Sequence, residues 1–178
     1  MLMRTARHQQ GFTLTELLIV VIILAILAAI VVPQFASSSD DAKVSALQAN
    51  LARMRSAIDL YYQQHGVYPG TNVSSGATCP ASGTAGTGGV NSEQAFIDQL
   101  TRYTNAAGQS CTTTDATFKF GPYLKKDTMP DNPITALNAV KMETTGALGM
   151  IGEATDGGWR FDVVTGQFIA NDQDYDHL

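Results

Sequence analysis

One carboxylate stands where water is scarce. Glu16 opens an apolar run of sixteen residues, 17–32, that contains no polar side chain. At the centre of a bilayer such a group costs roughly 2.5–3.5 kcal/mol on insertion scales, so it calls for a partner. Two cysteines, Cys79 and Cys111, are the next reactive groups. Bridged, they would close a loop of about thirty residues and stabilise it by roughly 3–4 kcal/mol in the chain-entropy model. Unbridged they are two free thiols, and alone they do not supply the four ligands of a structural zinc site. The third group is an oxygen-rich stretch, Asn171, Asp172, Asp174 and Asp176. Its chemistry suits calcium, and the alternative is a solvated, frayed terminus. There is no Gly-x-Ser-x-Gly elbow, phosphate loop, paired-histidine zinc motif or dinucleotide fingerprint. His8, His65 and His177 are scattered. The chain reads as a non-enzyme without an obligatory cofactor.

The element that must position Glu16 is a membrane helix. Leu14 to Phe35 are apolar apart from Thr15, Glu16, Pro33 and Gln34, about the ~20 residues that a spanning helix needs. The ten residues before Gly11 carry Arg4 and Arg7 and no acid, which keeps that flank cytoplasmic and exports the rest. A secretory signal peptide cut near Ala36-Ser37-Ser38 has the same outline, as does a plain signal anchor. Neither accounts for Glu16 or for the abrupt Gly11-Phe12 junction.

Composition narrows the rest. The 178 residues allow one domain beyond the membrane segment. Lys and Arg number 11 against 16 Asp and Glu, a net charge of −5. An acidic exported domain gives no reason to expect nucleic acid as a partner. Export also places both cysteines in an oxidising compartment, where a disulfide persists.

Pro33 removes a helical hydrogen bond and should kink the helix. Beyond it Val44, Leu47, Leu51, Met54, Ile58 and Tyr61 recur at spacings of three and four, one face of a continuing helix. Lys43, Gln48, Arg53, Arg55, Asp59 and Gln63 form the other face, and Gly66 and Pro69 supply the stop. A helix from Leu14 to Gln64 would be about 75 Å long. Residues 70–92 are rich in Gly, Ser, Thr and Ala, a loop pinned by Cys79. Residues 93–103 fit a short helix capped by Ser92, and 105–116 a polar loop. Strands are expected at 134–142, 147–151, 159–164 and 167–170, with Thr165-Gly166 as a hairpin turn. Alternation puts Trp159, Phe161 and Val163 on one face and Arg160 and Asp162 on the other. The fold class is α+β: a long N-terminal helix on a small antiparallel sheet of three or four strands.

Gly11-Phe12-Thr13-Leu14-Thr15-Glu16 followed by an apolar helix resembles the processing site of type IV prepilins and type II secretion pseudopilins. The match runs over 11–35. In that family a membrane-embedded peptidase cuts after the glycine and the new N-terminal residue is N-methylated. The resemblance implies cleavage between Gly11 and Phe12, methylation of Phe12, and Glu16 as the fifth mature residue. It makes Pro33 the twenty-second, where family members often carry a helix-kinking proline. It implies a leader at 1–11, a transmembrane and filament-core segment at 12–36, and a periplasmic pilin-like domain at 37–178.

The physics agrees with that assignment. Cleavage creates an amine at Phe12, one helical turn from Glu16, and a carboxylate in the first turn meets the positive end of the helix dipole. Glu16 then neutralises its own N-terminus or that of a neighbouring subunit. The family assigns it the second role, in filament assembly. The implied partners are further subunits, the peptidase and methylase, and an inner-membrane assembly platform with its ATPase. The implied location is a single pass through the inner membrane, then a filament. Gly121-Pro122-Tyr123-Leu124-Lys125-Lys126 is similar to a segment of major pseudopilins of type II secretion, which favours protein export; those pseudopilins also bind calcium in a C-terminal loop. A type IV pilin of adhesion, twitching or DNA uptake is the alternative, to which a disulfide points. A single-pass anchored periplasmic binding domain that never polymerises is the rival of another class.

Overall fold

The computed structural model describes residues 12–153 and 156–178. Its first helix, α1 (Leu14–His65), begins in the apolar run and continues through the amphipathic stretch. The chain divides into two compact units between Ala42 and Lys43, so each unit holds part of α1. In the first unit no residue of Leu14–Val31 is buried. This helix is apolar on every side, as a membrane segment is, and has no polar face of its own. The helix assignment runs through Pro33, but the side chains of residues 32–37 lie outside the described residues, and so does the expected kink.

In the second unit the apolar spacing becomes a buried stripe. Leu47, Leu51, Met54, Ile58 and Tyr61 are at most 1% exposed, with Ala57 on the same face; Val44, at the start of the stripe, is half-buried. They share one cluster with Phe96 and Leu100 of α2 (Glu93–Thr101) and with Trp159, Phe161 and Phe168. Burying each such side chain contributes about 1.5–3 kcal/mol. The last residue of α1, His65, stacks on Tyr61 at 4.1 Å between ring centres. Its Nε2 meets Thr104 Oγ1 at 3.0 Å and the Tyr123 hydroxyl at 3.2 Å. Because Tyr123 donates its proton to Gln64 Oε1, its oxygen is left to accept from His65.

Ser92 caps α2 as expected, accepting from the Ala95 N–H at 3.1 Å. At the other end the N–H groups of Tyr123 and Leu124 both donate to the Leu100 carbonyl at 2.9 Å. The Gly-Pro-Tyr-Leu segment thus satisfies a carbonyl that the helix leaves free. The loop at 70–92 is pinned twice. Cys79 and Cys111 form a disulfide, with Cα atoms 5.8 Å apart and a sequence separation of 32. Asp98, buried in α2, accepts from Ser74 Oγ at 2.7 Å, the Thr87 N–H at 2.9 Å and Gln94 Nε2 at 2.9 Å. A Cβ on Gly88 would lie 2.0 Å from the Ala95 nitrogen, so the loop rests directly on the helix.

A hairpin over 103–111 takes the last residue of the expected helix, which ends at Thr101, and the first half of the expected plain loop. β1 (Tyr103–Thr104) pairs antiparallel with β2 (Ser110–Cys111). Strands of two residues are too short to show any alternation. The main sheet has the order β3 (Val140–Glu143), β4 (Trp159–Asp162), β5 (Phe168–Ala170). β4 and β5 are antiparallel, Trp159 opposite Ala170. β3 and β4 are parallel, Val140 opposite Trp159, so the sheet is mixed and not purely antiparallel. The reason lies in 147–151, which form no strand. Gly146 and Gly149 take φ of +67° and +85°, and Leu148 is 84% exposed. The fifteen residues between β3 and β4 become a return loop, long enough for a parallel connection. β3 is shorter than 134–142 because Asn132 holds a turn. It donates its N–H to the Leu137 carbonyl at 2.8 Å and accepts the Ile134 N–H at 2.9 Å.

Trp159, Phe161 and Val163 are buried, as alternation requires, but Asp162 is buried too. Its Oδ1 accepts from the N–H groups of Val164 and Thr165, and its Oδ2 from Thr145 Oγ1 and the Gly146 N–H. Desolvation pushes the Asp162 carboxyl up, but these hydrogen bonds outweigh it and hold it below the usual range. One side chain therefore fixes the hairpin turn and the return loop together.

Candidate assembly site at the start of the first helix

Thr13 and Glu16 lock the first turn of α1. Glu16 Oε2 accepts from the Thr13 N–H at 2.8 Å and from Thr13 Oγ1 at 2.7 Å. In return Thr13 Oγ1 accepts from the Glu16 N–H at 3.3 Å. This is a reciprocal capping box, a Ser or Thr followed three residues later by Glu. Its spacing is legible in Thr13-Leu14-Thr15-Glu16. The carboxylate also sits at the positive end of the helix dipole.

The box leaves capacity unused. Both Thr13 bonds end on Oε2, and among the described residues Glu16 Oε1 accepts none. A carboxylate offers about four acceptor sites over its two oxygens. Among the described residues Glu16 is therefore held in one orientation, with Oε1 left to accept from a cation. Phe12 and Leu14 beside it are 85% and 83% exposed, so the carboxylate lies in an apolar, accessible patch.

The other predicted site residues are placed as follows. Gly11 and the leader lie outside the described residues. Cys79 and Cys111 come together, 5.8 Å apart at Cα. The acidic stretch is folded into turns. Asn171 is buried, and its Oδ1 accepts from the Glu153 N–H at 2.8 Å. Asp172 Oδ1 accepts from the Asp174 N–H at 3.0 Å, and Asp176 Oδ2 from the Gly152 N–H at 2.9 Å. These oxygens brace separate backbone groups, and among the described residues no three His, Cys, Asp or Glu converge as a metal site requires.

Comparison with known proteins points to the same end of the chain. Residues 6–32 match the model of the prokaryotic N-terminal methylation motif. The type II secretion system core protein G of Pseudomonas aeruginosa is 46% identical over 65 residues, 36% of this chain and 46% of the relative. The type IV major pilin protein PilE1 of Neisseria gonorrhoeae is 40% identical over 78 residues, 44% of this chain and 47% of the relative. A fimbrial protein of Neisseria meningitidis serogroup B is 43% identical over 68 residues, 38% of this chain and 40% of the relative. The chain spans less than half the length of these relatives. No solved structure matches it. With its unburied apolar helix opening at Leu14, the chain matches the prokaryotic N-terminal methylation motif over residues 6–32 and is, over less than half of its length, similar to type II secretion core protein G and to type IV pilins.

Proposed function

We propose that this chain is a structural subunit of a pilin-like filament and not an enzyme. Its precursor spans the inner membrane once, with the basic leader 1–11 in the cytoplasm. A prepilin peptidase cuts between Gly11 and Phe12, and the new amine of Phe12 is methylated. Segment 12–36 then leaves the lipid for the filament core, exchanging one apolar environment for another, while 37–178 faces outward from the periplasmic side. An assembly platform and its ATPase supply the work. The observation that carries this reading is Glu16, oriented by Thr13 at the head of an unburied apolar helix, with Oε1 taking no hydrogen bond among the described residues. The cation it awaits is the Phe12 amine of its own or a neighbouring subunit. The capping box involves only Thr13 and Glu16, so it survives removal of the leader.

Type II secretion is the favoured setting, supported by the similarity to core protein G and by the Gly121–Lys126 segment. A type IV pilus is the second reading, supported by the longer stretch of similarity to PilE1 and by the disulfide.

The test is to purify the chain from its host membrane and to measure its N-terminus by mass spectrometry. A chain beginning at Phe12 and one methyl group heavier is expected; a retained leader, or cleavage near Ala36-Ser37-Ser38, would refute the reading. Glu16→Ala should abolish filaments, and it should leave the stability of the second unit within about 0.5 kcal/mol of wild type, as for a substitution outside its core. Deleting the gene and scoring secreted protein against surface pili separates the two settings.

A further inference from the structure

The second unit carries two charged surfaces, one with two cations beside a single acid, Asp131, and one acidic. One rims a cleft of about 350 Å³, formed by Asn50, Arg53 and Met54 of α1 with Leu124, Lys126 and Asp131. Arg53 and Lys126 are exposed, and among the described residues neither enters an ion pair. The cleft floor is apolar, from Met54 and Leu124 at 1% and 4% exposure. A charge pair formed over such a floor is stronger than one in open water.

The other surface is the acidic C-terminal turn. Asp174 is exposed and Asp172 and Asp176 are partly so. Among the described residues no Lys or Arg stands within ion-pair distance of them. The turn is not frayed. Besides the Asp172 and Asp176 bonds, Arg55 donates to the Leu178 carbonyl at 2.6 Å and the Phe168 carbonyl at 3.0 Å.

Arg53 and Arg55 fix where these surfaces lie. Two residues along an α-helix are separated by about 200° around its axis. Arg53 lines the cleft and Arg55 grips the acidic turn, so the two surfaces occupy opposite flanks of α1. We propose that the acidic turn of one copy docks in the Arg53–Lys126 cleft of a second copy of this chain. This rests on the filament reading above. Surfaces that face away from each other cannot be reciprocated by the same partner. The contact is therefore heterologous, repeats from copy to copy, and does not close as a two-fold dimer.

The experiment uses the full chain in its host membrane, with Thr128→Cys in the cleft lining and Gln173→Cys in the acidic turn of the same molecule, both exposed and uncharged, so that Arg53, Lys126 and the aspartates stay in place. The native cysteines are bridged, so a thiol–thiol crosslinker reports on the new pair. A ladder of multimers is expected, absent from either single variant. Adding Arg53→Glu should weaken the ladder about tenfold, as for loss of one interfacial charge pair. Adding Asp172→Arg to Arg53→Glu should restore it, which excludes misfolding as the cause of the loss. Filaments without a ladder would overturn the contact and leave the filament reading standing. A ladder without filaments would support the contact and remove the filament reading. Absence of both overturns both. A product that stops at two copies, crosslinks only to another protein, or a ladder indifferent to Arg53→Glu would each overturn the proposal.

Discussion

Single side chains in this protein do more than their class suggests. Glu16 is both half of a helix cap and a carboxylate with an oxygen to spare. Its first role fixes the direction of the carboxylate, and that makes the second geometrically defined. His65 offers a testable case of the same economy. Burial of its ring pushes its pKa below the ordinary 6.5, opposed in part by the Ala106 carbonyl. Burial pushes Tyr61 and Tyr123 up, so both hydroxyls stay protonated. The unfolded chain takes up the His65 proton at a higher pH than the folded one. Stability is therefore full above the unfolded value and falls as pH drops through it, levelling off below the lowered folded value. Melting the full chain in detergent between about pH 7.5 and pH 5.5 should show that loss, and His65→Gln should remove it. Parallel profiles for the two proteins would rule it out.

Among the elements, the second part of α1 organises the second unit. Leu51 sits in the middle of its buried stripe at 1% exposure, so Leu51→Ala should destabilise by roughly 2–5 kcal/mol. Replacing Cys79 and Cys111 together by Ser should cost about 3–4 kcal/mol. Denaturant unfolding of the full chain in detergent measures both. An effect below 1 kcal/mol at Leu51, on the order of a surface change, would deny it a place in the core. The stripe was legible because 3.6-residue periodicity over five turns leaves little alternative. The α2 cap at Ser92 and the closing hairpin were legible for similarly local reasons. The direction of β3 was not, because it depends on whether 147–151 extends or turns, and the left-handed Gly146 and Gly149 decide that. Asp162 was read as an outward-facing residue because alternation knows nothing of the four donors that gather round it. At the candidate site the cap is legible in the Thr-x-x-Glu spacing of Thr13 and Glu16, a local signal that stands beside the cost of a carboxylate in an apolar run.

At the scale of the whole molecule, the chain assigns different tasks to its two units. The first holds the unburied apolar segment Leu14–Val31 and, at its head, the oriented carboxylate of Glu16. The second has its own core of aromatic and aliphatic residues and a surface on which cations are scarce, 11 against 16 acidic groups in the full chain. That separation is why Glu16→Ala is expected to stop assembly without melting the second unit. It is also why a charge contact between copies can be broken and restored without touching the membrane segment. The return loop between β3 and β4 adds a practical corollary. Among the described residues nothing stands within 4 Å of where a Cβ on Gly149 would lie, and Leu148 beside it is 84% exposed. Small, exposed loop tips of this kind accept foreign sequence and are the first points a protease reaches. A short epitope spliced in after Leu148 should leave the melting curve unchanged, and a protease should cut there first, with the fragments still joined through the ladder of β3 and β4. The loop that upset the expected strand order is thus a ready place to display a peptide or attach a dye.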